Sequence, residues 1–188
     1  MFIDRQEGAI GKTHLTMKKL FTLRFMLIAL FTAMSMTMNA EIIKYSSDDG
    51  FKYKLDTEAK TAELAEYSGS APEVIVPESI TYEGVQYAVT SIGDWCFYEN
   101  TSLKKAELPS SLKSLGNLCF KLCSALKSIN IPSGLKNMGE QCFFGCESLT
   151  SIVLPSSLTS LSECCFQGCS SLKSIDIPSS VKSIGEYS

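Results

Sequence analysis

From Ser91 onward the apolar residues follow neither the alternation of a long strand nor the 3.6-residue stripe of a helix. They come in short clusters: Leu126, Ile129 and Ile131, then Leu135 and Met138, then Cys142, Phe143 and Cys146, with polar residues between. The same order then returns. Pro109, Pro132, Pro155 and Pro178 are each 23 residues apart, and the complete copies 109–131, 132–154 and 155–177 agree in nine of 23 columns. The shared columns include the prolines, the leucines 112, 135 and 158, the cysteines 119, 142 and 165, and the phenylalanines 120, 143 and 166. A fixed period of this length is the signature of a repeat architecture. The period runs back through Ile92, Gly93, Cys96, Phe97 and Leu103, and forward into an incomplete copy from Pro178.

Within one copy, Leu126, Ile129 and Ile131 predict a short strand whose alternate residues face inward. Pro132 cannot donate to a ladder and ends that strand. Leu135 and Met138 supply a second inward pair, and Gly139 is expected to permit a tight bend. Glu140 to Cys146 is expected to form a single helical or 3₁₀ turn that puts Cys142 and Cys146 on one face. One unit cannot bury its own apolar face, whereas stacked units build a continuous core with each Phe over the next. Parallel stacking at roughly 4.8 Å per coil gives a repeat region only about 20 Å long. The predicted fold is a short, β-rich repeat solenoid of short parallel strands plus single helical turns.

Residues 41–90 do not share the period. Phe51–Leu55, Thr61–Leu64 and Val74–Val76 read as strands, and Tyr82–Tyr87 as a hairpin turn with its return strand. This segment is placed to form a β-hairpin cap on the N-terminal end of the repeats at 91–188. Asp48 and Asp49 before Gly50 read as a turn. Ahead of the cap, residues 1–40 read as a leader. Met17-Lys18-Lys19-Leu20, the apolar run Phe25–Phe31 and the small residues up to Ala40 predict a secretory signal over 17–40, cleaved after Ala40. The apolar run is too short for a membrane span of about 20 residues.

Loss of that leader changes the charge and the chemistry. It takes five of the 17 basic and two of the 20 acidic side chains, leaving 12 and 18 and a net charge of about −6. Nucleic acid and anionic membrane surfaces are therefore poor partners. It also takes His14, the single histidine. Cys-His and Ser-His-Asp nucleophile pairs, His-ligated zinc and a His general base leave with it.

The motifs Leu172-Lys173-Ser174-Ile175-Asp176-Ile177-Pro178-Ser179-Ser180-Val181-Lys182-Ser183-Ile184-Gly185 and Cys165-Phe166-Gln167-Gly168-Cys169 resemble the BspA-type leucine-rich repeat family of secreted and surface bacterial proteins. The resemblance covers about residues 74–188, and the strand-rich lead-in resembles the family's usual N-terminal cap. It implies a leucine-rich-repeat fold and adhesion to host extracellular proteins or other cells.

The eight cysteines admit three readings: core-packed thiols acting as small hydrophobes, some disulfides, or a Cys-only metal site. The first leads, because seven of them occupy packing columns, and C-x-x-x-C lacks the C-x-x-C knuckle of a zinc site. Cys164 breaks the pattern and is expected to point elsewhere. Asn100-Thr101-Ser102 fits a glycosylation sequon, but Asn100 also fills the column of Cys123, Cys146 and Cys169, where an Asn can bond to backbone. Trp95, Tyr98, Tyr82 and Tyr87 read either as cap packing or as a small aromatic contact site. No catalytic residue, cofactor or metal site is expected, so the chain is read as non-enzymatic.

The functional surface is expected where strand residues point outward, because the copies differ there while agreeing inward. Those positions are Lys105 and Glu107, Ser128 and Asn130, Ser151 and Val153, and Ser174 and Asp176. The expected partner is a protein, plausibly a host extracellular one, bound by an exported module at or beyond the cell surface. The alternatives are an assembly unit that self-associates through its C-terminal coil and, more distantly, a glycan-binding module.

Overall fold

The computed structural model describes residues 42–188, so the leader and its signal segment lie outside the described residues. Strands β1 (Ile42–Ser46), β2 (Phe51–Asp56) and β3 (Thr61–Tyr67) form an antiparallel meander, with Gly50 in the first turn at φ +87°. Alternation buries Phe51, Tyr53 and Leu55 on β2 and Ala62 and Leu64 on β3. On the solvent side, Lys52 pairs with Glu66 at 2.6 Å and Lys54 with Glu63 at 2.8 Å. Strand β4 (Glu73–Ile75) leaves this sheet, and β5 (Ser79–Tyr82) and β6 (Val85–Ile92) make the expected hairpin across Glu83-Gly84. β6 pairs in parallel with β3 and then with β8 (Ser114–Leu115), which pairs with β10 (Asn137–Met138). β6 thus joins the N-terminal strands to the parallel rungs of the repeats. A second parallel sheet joins β4, β7 (Lys105–Glu107) and β9 (Ser128–Asn130), while β11 (Ser160–Leu161) pairs with β12 (Ser183–Ile184).

Counterparts in successive copies face one another: Ser91, Ser114 and Asn137 in one sheet, Lys105 and Ser128 in the other. That register turns each sequence column into a spatial column. Phe97, Phe120, Phe143 and Phe166 stack with ring centroids 4.9, 5.4 and 5.6 Å apart and planes within 5°. Tyr67, 5.2 Å from Phe97, and Phe51, 4.9 Å from Tyr67, carry the column into the cap. Leu112, Leu135 and Leu158, and Leu126 and Leu149, are fully buried around it.

Two local expectations are corrected. No helix forms among the described residues. The segments predicted as helical turns are chains of tight turns, because two residues per copy sit in the left-handed region: Leu118 and Leu122, Gln141 and Gly145, and Cys164 and Gly168. The reason is the hydrogen bonding between coils. Leu118, Phe120 and Leu122 donate their N–H groups to Glu140, Cys142 and Phe144 carbonyls at 2.9, 2.9 and 2.7 Å. A right-handed helix would aim those groups along its own axis, and left-handed residues redirect them along the stack. Gly139 also has another role than the one expected. A β-carbon there would lie 2.5 Å from Gly116 and Asn117 backbone atoms, so the residue permits close approach of two coils, not a bend.

Glu78, just ahead of β5, is tied to the turn that follows Pro109. Its carboxylate accepts the Ser110 N–H at 2.7 Å, the Ser110 hydroxyl at 3.0 Å and the Ser111 N–H at 3.3 Å. The Ser110 N–H bond, foremost among these, holds the carboxyl below its ordinary value.

Two outcomes follow. Phe143→Ala, in mid-column, should cost about 3–5 kcal/mol in urea denaturation, and a loss under 1 kcal/mol would show that the column does not hold the stack. Glu78's depressed value means its stabilisation is present above the ordinary carboxylate range and fades as pH falls through the lowered one. Glu78→Gln should therefore differ from the parent at neutral pH and converge with it on acidification, whereas parallel stability profiles would count against this role.

Candidate interaction face

The second parallel sheet carries the outward positions. On β7, Ala106 is buried while Lys105 faces solvent and Glu107 is half-buried. On β9, Ile129 is buried between exposed Ser128 and Asn130. The register sets Lys105 beside Ser128 and Glu107 beside Asn130, so the structure brings these four residues together. Lys105 Nζ donates to Glu107 Oε1 at 2.6 Å, and that bond raises the lysine above its ordinary value. Asn130 is not free to meet a ligand. Its Oδ1 accepts the Leu108 N–H at 2.7 Å and its Nδ2 donates to the Leu108 carbonyl at 3.2 Å, which clamps the neighbouring coil.

Ser151 and Val153 flank buried Ile152, and both are exposed, Val153 by 80%. Ser174 and Asp176 are exposed on either side of Ile175. None of these four lies in a hydrogen-bonded strand, so the regular part of the face ends at β9. Sequence reasoning missed the other end. β4 pairs with β7, which adds Glu73 beside Lys105 and Ile75, 70% exposed, beside Glu107. The signal was Val74-Ile75-Val76-Pro77, the same inward-outward-inward-Pro order as Ile129-Asn130-Ile131-Pro132. The β5–β6 hairpin, inserted between Pro77 and Pro109, hid its register.

The cysteines are structural. Cys123, Cys146 and Cys169 donate their S–H groups to the Phe97, Phe120 and Phe143 carbonyls of the preceding coil at 3.0, 3.2 and 3.2 Å. Asn100 does the same work at the head of that column: its Nδ2 donates to the Gly69 carbonyl at 3.2 Å and its Oδ1 accepts the Leu103 N–H. Burial pushes the Cys123 thiol up to about 12 and the Cys169 thiol up to about 11, and raises Cys96, Cys119, Cys146 and Cys165 as well. Thiols held protonated are poor nucleophiles and poor metal ligands at neutral pH. Cys164 departs from this set, half-buried on a left-handed turn residue.

The four aromatics singled out in the sequence do not meet. Trp95 and Tyr98 form an edge-on pair, 5.0 Å apart, on the turn side of the first coil. Tyr82 packs edge-on against Tyr45 in the cap at 5.6 Å, and Tyr87 is buried. On the larger sheet, a groove of about 350 Å³ is lined by Lys54, Glu63, Ser91, Asp94 and Ser114. Lys54 there pairs with Glu63, and Asp94 Oδ1 accepts the Asn117 N–H at 2.7 Å.

The profile of the BspA type Leucine rich repeat region matches residues 76–188 as six copies. Among solved structures, the chain is similar to a T. pallidum leucine-rich repeat protein, with 31% identity and a TM-score of 0.68 over 77% of this chain and 65% of that one. It is similar to a leucine-rich repeat protein from Bacteroides ovatus, with 29% identity and a TM-score of 0.56 over 81% of this chain and 37% of that one. It also shares the fold of a leucine rich cell surface protein from Faecalibacterium prausnitzii, at 22% identity and a TM-score of 0.55, covering 79% and 52% of the two chains. The chain thus spans 65% or less of the length of each of these relatives. No curated protein sequence matches it significantly.

A maleimide applied to the folded protein should label Cys164 alone, and unfolding should raise the count to all eight thiols. Rapid labelling of Cys123 or Cys146 in the folded state would contradict the buried donor column.

Proposed function

We propose that this chain, which belongs to the BspA-type leucine-rich repeat family, is an exported, non-enzymatic solenoid module that binds a protein of a host or neighbouring cell. Members of the family are bacterial surface proteins that generally bind proteins. The observation that carries the reading is the face built by β4, β7 and β9, whose inward residues Val74, Ala106 and Ile129 are all apolar and buried while its outward pairs, Glu73 and Ile75, Lys105 and Glu107, Ser128 and Asn130, differ from coil to coil. A rigid backbone with freely varied outward side chains is what an extended recognition surface requires. Exposed Ile75 at one end and Val153 further along provide apolar contact, and the Lys105–Glu107 pair and Glu73 provide polar definition. Asn130 serves the fold, so the proposed contact set is Glu73, Ile75, Lys105, Glu107, Ser128, Ser151, Val153, Ser174 and Asp176.

Export rests on the leader at 1–40, and with it goes the proposed division into a cap at 41–90 and repeats at 91–188. Placement at the cell surface is supported by the description of the F. prausnitzii relative as a cell surface protein. The second reading, an assembly unit docking through its last coil, draws on the exposed apolar side chains Ile177, Ile184 and Tyr187.

Capture of extracellular-matrix proteins by the immobilised mature chain tests the first reading. Ile75→Asp with Val153→Asp should abolish capture without lowering Tm, and capture that survives both changes would remove this face from the proposal. Light scattering addresses the second: a concentration-dependent dimer abolished by Ile184→Asp would favour assembly over adhesion.

A further inference from the structure

The Pro-Ser turns that link the two sheets carry chemistry that the β4–β7–β9 face does not use. On the first of them, Pro109-Ser110-Ser111, the Glu78 carboxylate takes two successive N–H groups and a hydroxyl. The sequence repeats this turn as Pro132-Ser133-Gly134, Pro155-Ser156-Ser157 and Pro178-Ser179-Ser180. All four close in the same way. Leu112, Leu135, Leu158 and Val181 each donate their N–H to the proline carbonyl three residues back, at 3.0 to 3.1 Å. Among the described residues, the N–H groups of Ser133, Gly134, Ser156 and Ser157 meet no backbone carbonyl, and Ser133 and Ser156 are exposed. These turns therefore offer what the first one offers to Glu78, with no Glu78 to fill them.

A lysine stands beside the second turn, and its counterpart follows one copy on. Lys113 and Lys136 are exposed on successive coils, joined by a 2.8 Å bond from the Lys136 N–H to the Lys113 carbonyl. The ion pairs among the described residues belong to Lys52, Lys54 and Lys105, so neither ammonium is matched by a carboxylate. Lys113 Nζ lies 2.9 Å from the point where a β-carbon of Gly134 would sit, at the second turn itself. Like charges one coil apart repel, and an anion held between them reverses the sign of that contribution. Glu140, Glu163 and Glu186 follow the far ends of β10, β11 and β12. Two N–H groups beside an ammonium form a charge-assisted donor site for a carboxylate.

We infer that the second and third Pro-Ser turns, with Lys113 and Lys136, are a docking ladder for an acidic segment of a partner protein, whose carboxylates take on these turns the place that Glu78 takes on the first. The inference rests on the reading of the chain as a protein-binding module, but it uses a different surface. A protein carboxylate is favoured over other anions because one already occupies the equivalent turn.

The probe is a fluorescein-labelled oligoglutamate peptide, titrated with the full mature chain by fluorescence anisotropy at low and at physiological salt. Saturable binding is expected, weakened about tenfold or more by Lys113→Glu with Lys136→Glu and unchanged by Lys44→Glu with Lys173→Glu, which alter net charge equally. Thermal melts confirm folding, and Lys113→Gln with Lys136→Gln replaces the first pair if it does not fold. Equal losses in both pairs would mean attraction by net charge alone and would overturn the inference, as would absence of binding. A sulfated oligosaccharide that binds through Lys113 and Lys136 when oligoglutamate does not would overturn it in favour of a glycan. Matrix-protein capture that persists in the Lys113 and Lys136 variants separates failure of this ladder from failure of the β4–β7–β9 face.

Discussion

Everything in this protein depends on the register in which one coil lies on the next. Each residue sits over its counterpart one copy away, and the Phe column, four parallel rings about 5 Å apart, is where that register is most tightly enforced. A ring displaced sideways would lose contact with both neighbours at once, and close-packed interiors tolerate such gaps poorly. The glycine column enforces the same spacing on the backbone. At Gly116, Gly139 and Gly185 a β-carbon would meet the preceding coil at 2.5 Å, while Ser162 fills the same column in the third copy and bonds to the Met138 carbonyl of the preceding coil.

Register also decides what the polar atoms do. With no helix to absorb them, the N–H groups of the turn segments reach across to the next coil, and two left-handed residues per copy aim them there. Glycine takes one of these positions in the later copies, at Gly145 and Gly168, while Leu122 holds it earlier despite the cost of a β-carbon in that region. The S–H groups of Cys123, Cys146 and Cys169 add a side-chain donor column beside the backbone one. Asn100 substitutes for cysteine where the stack meets the cap, since its longer amide reaches the Gly69 carbonyl. The N-terminal strands join by continuity: β6 pairs in parallel with β8, Tyr67 and Phe51 prolong the ring column, and Glu78 closes on the Pro109 turn.

A stack held this way exposes several columns of residues at its surface, and the β4–β7–β9 face and the turn edge are two of them. They differ in chemistry. The β4–β7–β9 face mixes exposed Ile75 with an internally paired lysine and glutamate, which suits a mixed protein surface. The turn edge has ammonium groups and N–H groups that meet no carboxylate or backbone carbonyl among the described residues, which suits carboxylates.

How much of this was legible depends on whether a residue's role repeats. Phe143, Leu135, Met138 and the buried cysteines could be placed inward from the sequence alone, because every copy must bury the same column and so repeats the same residue type. Lys105, Glu107 and Ser128 could be placed outward for the complementary reason, as polar residues flanking a single apolar one. The backbone of the Cys-Phe segment was not, because i and i+4 spacing serves a helix and a string of left-handed turns equally, and only the neighbouring coil's carbonyls choose between them. Nor was the role of Gly139, since close approach and a positive φ both call for glycine. Asn130 looked free until its amide was seen to clamp Leu108, and Glu73 and Ile75 were concealed by an inserted hairpin that broke the spacing. The sequence by itself thus determined the repeat, its core and its variable side, all of which are written as periodicity. Only the tertiary structure decided where each hydrogen bond goes and which outward residues remain available, because those depend on the coil next door, which no single copy encodes.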